Sequence, residues 1–212
     1  MKGITINNPE NLIECKTILN WINEESSVLD LGCGDGELLS LLIKKKRVQA
    51  QGIEINQQAI QKCIIKGLNV FQEDIDSGLS DYPEKSLDYV ILNQTFQQVK
   101  KPAFVLEEAL RVSSKTIVGF PNFLHLSSRL KMCFGGKVPV TKSLPYKWFD
   151  TPNLHFFSIA DFKEYCKIKG CTLSPSSNDL CWEHQKSTLP TKEIKEKKKS
   201  TLKRSATNEK KN

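Results

Sequence analysis

Glycines alternate with other residues in Asp30-Leu31-Gly32-Cys33-Gly34-Asp35-Gly36, directly after the short apolar run Ser27 to Leu31. At the end of a strand such spacing lets the backbone turn tightly and brings a ligand close to it, where any side chain would block the approach. An acid follows at the end of the next apolar run: Glu54 stands about where a carboxylate that accepts ribose hydroxyls is expected. Together these residues predict a nucleoside site. A dinucleotide such as NAD or FAD is disfavoured, because the sixth position of a G-x-G-x-x-G count from Gly32 is Glu37, an acid in the first helical turn where a pyrophosphate needs neutral N–H donors. No Gly-Lys-Ser/Thr follows, which excludes a P-loop.

These residues need a strand, a turn and a helix around them, and the hydrophobic spacing supplies that order. After the Ser27–Leu31 strand, Glu37 to Ile43 repeats at helical spacing up to a basic end at residues 44–47. Val48 to Ile55 reads as a second strand, Gln57 to Lys66 as a helix closed by Gly67, and Leu68 to Phe71 as a third strand. A turn-rich stretch over 76–85 leads to a strand at Leu87 to Leu92. Pro102 opens a helix over Ala103 to Val112, and a strand from Lys115 to Phe120 stops at Pro121. Alternating strands and helices predict an α/β fold: a Rossmann-like, doubly wound, mainly parallel sheet in a three-layer α/β/α arrangement. Beyond Pro121 the alternation weakens. Residues 137–157 concentrate Pro and aromatic side chains without either period, which predicts a long loop packed over the edge of the sheet, and Ile159 to Lys169 reads as a last helix.

Composition bounds the rest. The 212 residues carry 31 basic and 24 acidic side chains, a formal charge of +7. Residues 186–212 hold ten of the basic and three of the acidic ones, so residues 1–185 are formally neutral. The expected organisation is one domain over 1–185 followed by a basic, disordered tail over 186–212 whose few apolar residues cannot offset its ordering entropy. Nucleic acid is therefore an expected partner only through that tail. No apolar run is long enough to cross a membrane, and the opening MKGITINNPENLIE is too polar for a signal peptide, so a cytoplasmic protein is expected. Seven cysteines, none in a C-x-x-C pair, fit free thiols, and no metal site is read.

An acid two residues before the first glycine makes the loop resemble the D/E-x-G-x-G-x-G motif of class I S-adenosylmethionine-dependent methyltransferases. Their ligand carries an ammonium and a sulfonium, to which carboxylates are suited. The resemblance implies that Asp30 and the loop Gly32, Cys33, Gly34 and Gly36 hold the methionine part, and that Glu54 accepts the two ribose hydroxyls. By the same analogy Asp74 and Ile75 meet the adenine edge, and Asn93 lies at the end of the fourth strand facing the methyl group. Where enzymes that methylate amino groups often read N/D-P-P-Y, this chain reads Asn93-Gln94-Thr95-Phe96, which argues against that subset.

The stretches VLDLGCGDGELLSLL, LNQTFQQV, VGFPNF and VPVTKSLPYKWFDTPNLHFFSIADF look like the methionine-biosynthesis MetW family. That resemblance spans roughly residues 20 to 170 and implies S-adenosylmethionine or S-adenosylhomocysteine as ligand and homoserine O-acyltransferase as partner. Two readings follow: an accessory subunit that binds the ligand and engages the acyltransferase, or a methyltransferase acting on a small molecule. RNA methylation guided by the tail is a third. Methyl transfer proceeds by direct displacement and depends on positioning, so no catalytic residue is assigned. Gln94, Asn122, His125, Tyr146, Trp148 and His155 stand near the pocket mouth by motif order. His125 and His155 read as hydrogen-bonded structural residues, Trp148, Phe149, Phe156 and Phe157 as core or interface aromatics, and Cys33 as a small residue tolerated beside the ligand.

Overall fold

The computed structural model describes residues 13–141, 144–173 and 181–182, and the basic stretch 186–212 lies outside them. In chain order the elements are α1 (Ile13–Trp21), β1 (Ser27–Leu31), α2 (Glu37–Lys46), β2 (Gln49–Glu54), α3 (Gln57–Ile65), β3 (Val70–Gln72), β4 (Leu87–Asn93), α4 (Pro102–Val112), β5 (Ser113–Gly119), α5 (Leu126–Gly135), α6 (Ile159–Lys169) and β6 (Cys181–Trp182). The strands form one sheet in the order β3-β2-β1-β4-β5-β6. The first five run parallel, and β6 pairs antiparallel with β5.

Successive side chains of a strand point to opposite faces, and the central strands β1 and β4 are buried on both, which is why they read as largely apolar runs. Leu29, Leu31, Val90, Leu92, Val118 and Phe120 face α4 and α6. Val28, Tyr89, Ile91 and Ile117 face α1 and α2. Cys63 of α3 completes that second layer against Leu39 and Cys33. Pro102 occupies the first turn of α4, where its missing N–H costs nothing. Helix α6 begins with a reciprocal cap in which the Ser158 side chain accepts from the Asp161 N–H and the Asp161 carboxylate accepts from the Ser158 N–H.

Three elements depart from the sequence expectation. Helix α1 precedes the first expected strand and buries Cys15 and Ile18. Helix α5 occupies part of the stretch where alternation weakened, and its one buried side chain is the polar Ser128. The edge of the sheet beside β5 is taken by β6, so the 144–157 segment packs elsewhere. The Leu154 and His155 N–H groups donate to the Gln97 carbonyl at 2.9 and 3.0 Å, laying the segment over the loop that follows β4.

Aromatic rings lock that segment to the core. Phe157 meets Phe96 and Phe120 at centroid distances of 5.7 and 4.5 Å, and Phe162 of α6 meets the same two rings at 5.6 and 5.1 Å. Removing the Phe162 ring leaves a cavity at the centre of this group. Phe162→Ala should lower the unfolding free energy by about 3–5 kcal/mol, read by urea denaturation.

Candidate functional site

The strand order reverses between β1 and β4, and in an open parallel sheet the crevice for a ligand lies at the carboxyl ends of the strands at that point. There the chain leaves β1 through three glycines of positive φ, at 78° for Gly32, 57° for Gly34 and 75° for Gly36. The Gly32 and Cys33 N–H groups donate to the Ile53 carbonyl at 2.8 and 3.1 Å, extending the β1–β2 ladder into the turn. The three glycines serve different ends. A methyl on Gly32 would stand 2.6 Å from Thr95, and one on Gly36 would run into Leu68 and Cys63. A methyl on Gly34 would meet nothing within 4 Å, so this glycine borders open space.

Glu54 fixes the loop from the neighbouring strand. Its Oε2 accepts from the Gly34 N–H at 2.9 Å, and its Oε1 accepts from the Ile55 and Asn56 N–H groups at 2.9 and 2.8 Å. Asp74 caps a single 3-10 turn, Ile75–Ser77, accepting from the Asp76 N–H at 2.9 Å. Asp76 then accepts from the Lys100 and Lys101 N–H groups at 3.0 and 2.8 Å, tying this turn to the entry of α4. Gln94 turns the chain out of β4 with φ 59°, unusual for a residue with a side chain, and its carbonyl accepts from the Gln97 and Gln98 side-chain amides. Asn93 lies so close over Gly119 that a side chain there would overlap it. The Asn93 Oδ1 is buried and has no hydrogen-bond partner among the described residues.

These elements enclose a cleft of about 460 Å³, within the range of small-molecule sites. Six expected residues line it: Gly32, Gly34, Glu54, Asp74, Ile75 and Asn93. Asp30, Cys33 and Gly36 do not. Asp30 is buried on the α1–α2 side of β1, 3% exposed, and burial above all, then the charge of Glu54, pushes its carboxyl up to about 7. Cys33 packs against Gly52 and Cys63, with burial pushing its thiol up, the opposite of what a nucleophile needs. Gly36 is the left-handed residue that opens α2. Thr95, Asp76 and Gln98 also line the cleft; Asp76 directly follows the expected Ile75, and Thr95 and Gln98 lie in the turn that begins at the expected Asn93.

The residues assigned by motif order to the pocket mouth separate. Gln94 lines the cleft, whereas Tyr146 and Trp148 line a second cavity of about 400 Å³. His125 caps α5, accepting from the Ser127 N–H, and His155 Nε2 lies 3.0 Å from the Val99 carbonyl. The Asn122 Oδ1 is buried without a partner among the described residues. No group of His, Cys, Asp or Glu among the described residues is arranged to hold a metal ion.

The fold is that of the class I S-adenosylmethionine-dependent methyltransferases. The chain is similar to a SAM-dependent methyltransferase from Archaeoglobus fulgidus at a TM-score of 0.60 and 21% identity, over 75% of this chain and 66% of that one. It is also similar to the [4+2]-cyclase SpnF at a TM-score of 0.57 and 15% identity, over 76% of this chain and 58% of that one, so the fold alone does not carry methyl transfer. Residues 13–199 match the family model described as methionine biosynthesis protein MetW, and the chain belongs to that family. A bifunctional methionine biosynthesis protein MetXA/MetW of Rhodopirellula baltica is 34% identical over 161 residues, which cover 72% of this chain. The matched part is 26% of that longer protein.

Gly34→Ala should cost about 1 kcal/mol for left-handed backbone, while Gly36→Ala should cost about 3 kcal/mol or more because overpacking against Leu68 and Cys63 is added; both are read by chemical denaturation. Asp30 binds its proton more tightly folded than unfolded, so its stabilising contribution is complete below its ordinary value of 3.8 and is lost as pH rises through 7. Asp30→Asn, which does not ionise, should therefore gain on the order of 3–4 kcal/mol relative to the unsubstituted chain between pH 4 and pH 8.

Proposed function

We propose that the cleft binds S-adenosylmethionine or S-adenosylhomocysteine, and that the protein is an accessory subunit which engages homoserine O-acyltransferase in methionine biosynthesis. The observation that carries the first part is the chemistry of the cleft wall. Four carboxylates, Glu54, Glu73, Asp74 and Asp76, stand around it with one lysine, Lys100. Such a wall suits a ligand with cationic groups and sugar hydroxyls and repels phosphates. The open face of Gly34 leaves room for a ligand against the backbone.

Glu54 and the Gly34 N–H it holds would orient the ribose and methionine ends, Asp74 and Ile75 would border the adenine, and Asn93 would face the sulfur side. S-adenosylmethionine, when bound, supplies an electrophilic methyl group on its sulfonium. The chain's part is to position that group and exclude water from it.

The second part rests on family membership and on the Rhodopirellula relative, whose name joins MetXA and MetW in one chain. The ligand is the end product toward which methionine is made, so its binding to a subunit of an early step would provide feedback. Ligand and partner affinities must then be coupled reciprocally.

Calorimetric titration with S-adenosylmethionine should give one site per chain, and Gly34→Ala should weaken it about tenfold or more while leaving the chain folded. Added acyltransferase should change that affinity, and the chain should change acyltransferase activity by a ligand-dependent factor. Substrate-dependent release of S-adenosylhomocysteine from the isolated chain would instead establish a small-molecule methyltransferase.

A further inference from the structure

Helix α5 is turned inside out. At 100° per residue, Leu126, Leu130 and Phe134 fall in one quadrant of its surface, and an amphipathic helix ordinarily presents such a stripe to the core. Here that stripe faces outward, with Phe134 84% exposed, while Ser128 on the opposite side is buried. The segment beyond the helix also exposes apolar side chains, Val138 and Val140. Lys131 Nζ donates to the Val140 carbonyl at 3.2 Å, joining α5 to the segment that follows it. Val138 and Trp148 then line a cavity of about 400 Å³, and Trp148, 75% exposed, stands edge-on to the exposed Phe149.

We infer that this face is the docking surface for the acyltransferase, and that the partner meets it with a surface apolar at its centre and acidic at its rim; the inference rests on the accessory-subunit reading above. The size is sufficient. Phe134, Trp148 and Phe149 alone leave on the order of 500 Å² of aromatic surface in water, and the neighbouring aliphatic side chains bring the face into the range of the roughly 800 Å² each partner contributes to a standard interface. The cavity beside Trp148 offers a seat for a partner side chain, the arrangement in which binding energy concentrates.

Charge selects the kind of partner. From Val112 to Phe149 the sequence contains no Asp or Glu. Arg129, Lys131, Lys137 and Lys147 are exposed in this stretch, and none is in an ion pair among the described residues. A second copy related by a two-fold axis would set these cations against their own equivalents, which disfavours a self-dimer through this face. Residues 186–212, at +7, are of the same sign. An acidic-rimmed partner is the complement that remains.

The chain carries its own reporter, since Cys133 is an exposed thiol on the same side of α5 as Leu126 and Leu130. The experiment uses the full chain, the homoserine O-acyltransferase of the same organism, and the variants Phe134→Asp and Trp148→Ala. Both side chains are exposed, so thermal stability and S-adenosylmethionine affinity should be unchanged. The unsubstituted chain should form a complex, Phe134→Asp should weaken it at least about 30-fold, as expected of a hot-spot residue, and the partner should slow alkylation of Cys133. If both variants bind as tightly as the unsubstituted chain and Cys133 stays reactive, the surface is overturned while the accessory reading stands. If the unsubstituted chain does not bind the acyltransferase, the reading itself fails and the inference with it. Loss in Phe134→Asp of binding to phosphatidylglycerol vesicles, or of self-association, without any acyltransferase complex, would assign the face to a membrane or to a second copy and overturn the proposal.

Discussion

The site depends on one carboxylate. Glu54, at the carboxyl end of β2, accepts the N–H of Gly34 in the loop that leaves β1, and accepts two further N–H groups of its own chain. Hydrogen bonds to an ionised acceptor are among the stronger ones in proteins. This one fixes the height of the glycine loop above the sheet, and the Ile53 carbonyl fixes its register. Thr95 of the cleft wall packs on Gly32, and behind the loop, away from the cleft, Cys63 and Leu68 pack on Gly36.

The rest of the molecule exists to hold those strand ends still. Burying both faces of the central strands removes most of their apolar side chains from water and leaves them little freedom to shift. The same burial places Asp30 where ionisation is costly, an unusual position for a carboxylate beneath a loop that must keep its shape. A cation bound in the cleft above would favour the ionised form and would so be linked to Asp30 through electrostatics without direct contact.

What could be read from the sequence was what is local in it. Gly32, Gly34 and Glu54 mark the cleft because strand, turn and helix follow one another along the chain. The bounds of β4, α4 and α6 follow their apolar spacing to within a residue or two. Gly36 and Cys33 share the motif yet serve packing, a distinction that depends on what Leu68 and Gly52 place beside them. Asp76 and Thr95 stand beside the expected Ile75 and Asn93 in the same turns, whereas Gln98 is held at the cleft by the Gln94 carbonyl, which its side-chain amide reaches. Helix α5 escaped because apolar spacing is read as an inward face, and here the apolar side is outward. The described residues of 137–157 form the long loop that their Pro and aromatic content predicts, but it does not pack over the edge of the sheet: its place over the turn after β4 is set by the Gln97 carbonyl and by Phe157.

The most direct measurement is a crystal structure of the protein grown with saturating S-adenosylhomocysteine. The account predicts the ligand at the carboxyl ends of β1, β2 and β4, with its ribose hydroxyls at Glu54, its adenine beside Asp74 and Ile75, and its methionine portion against Gly34. An empty cleft at saturation, or a ligand bound elsewhere with the cleft unchanged, would contradict it.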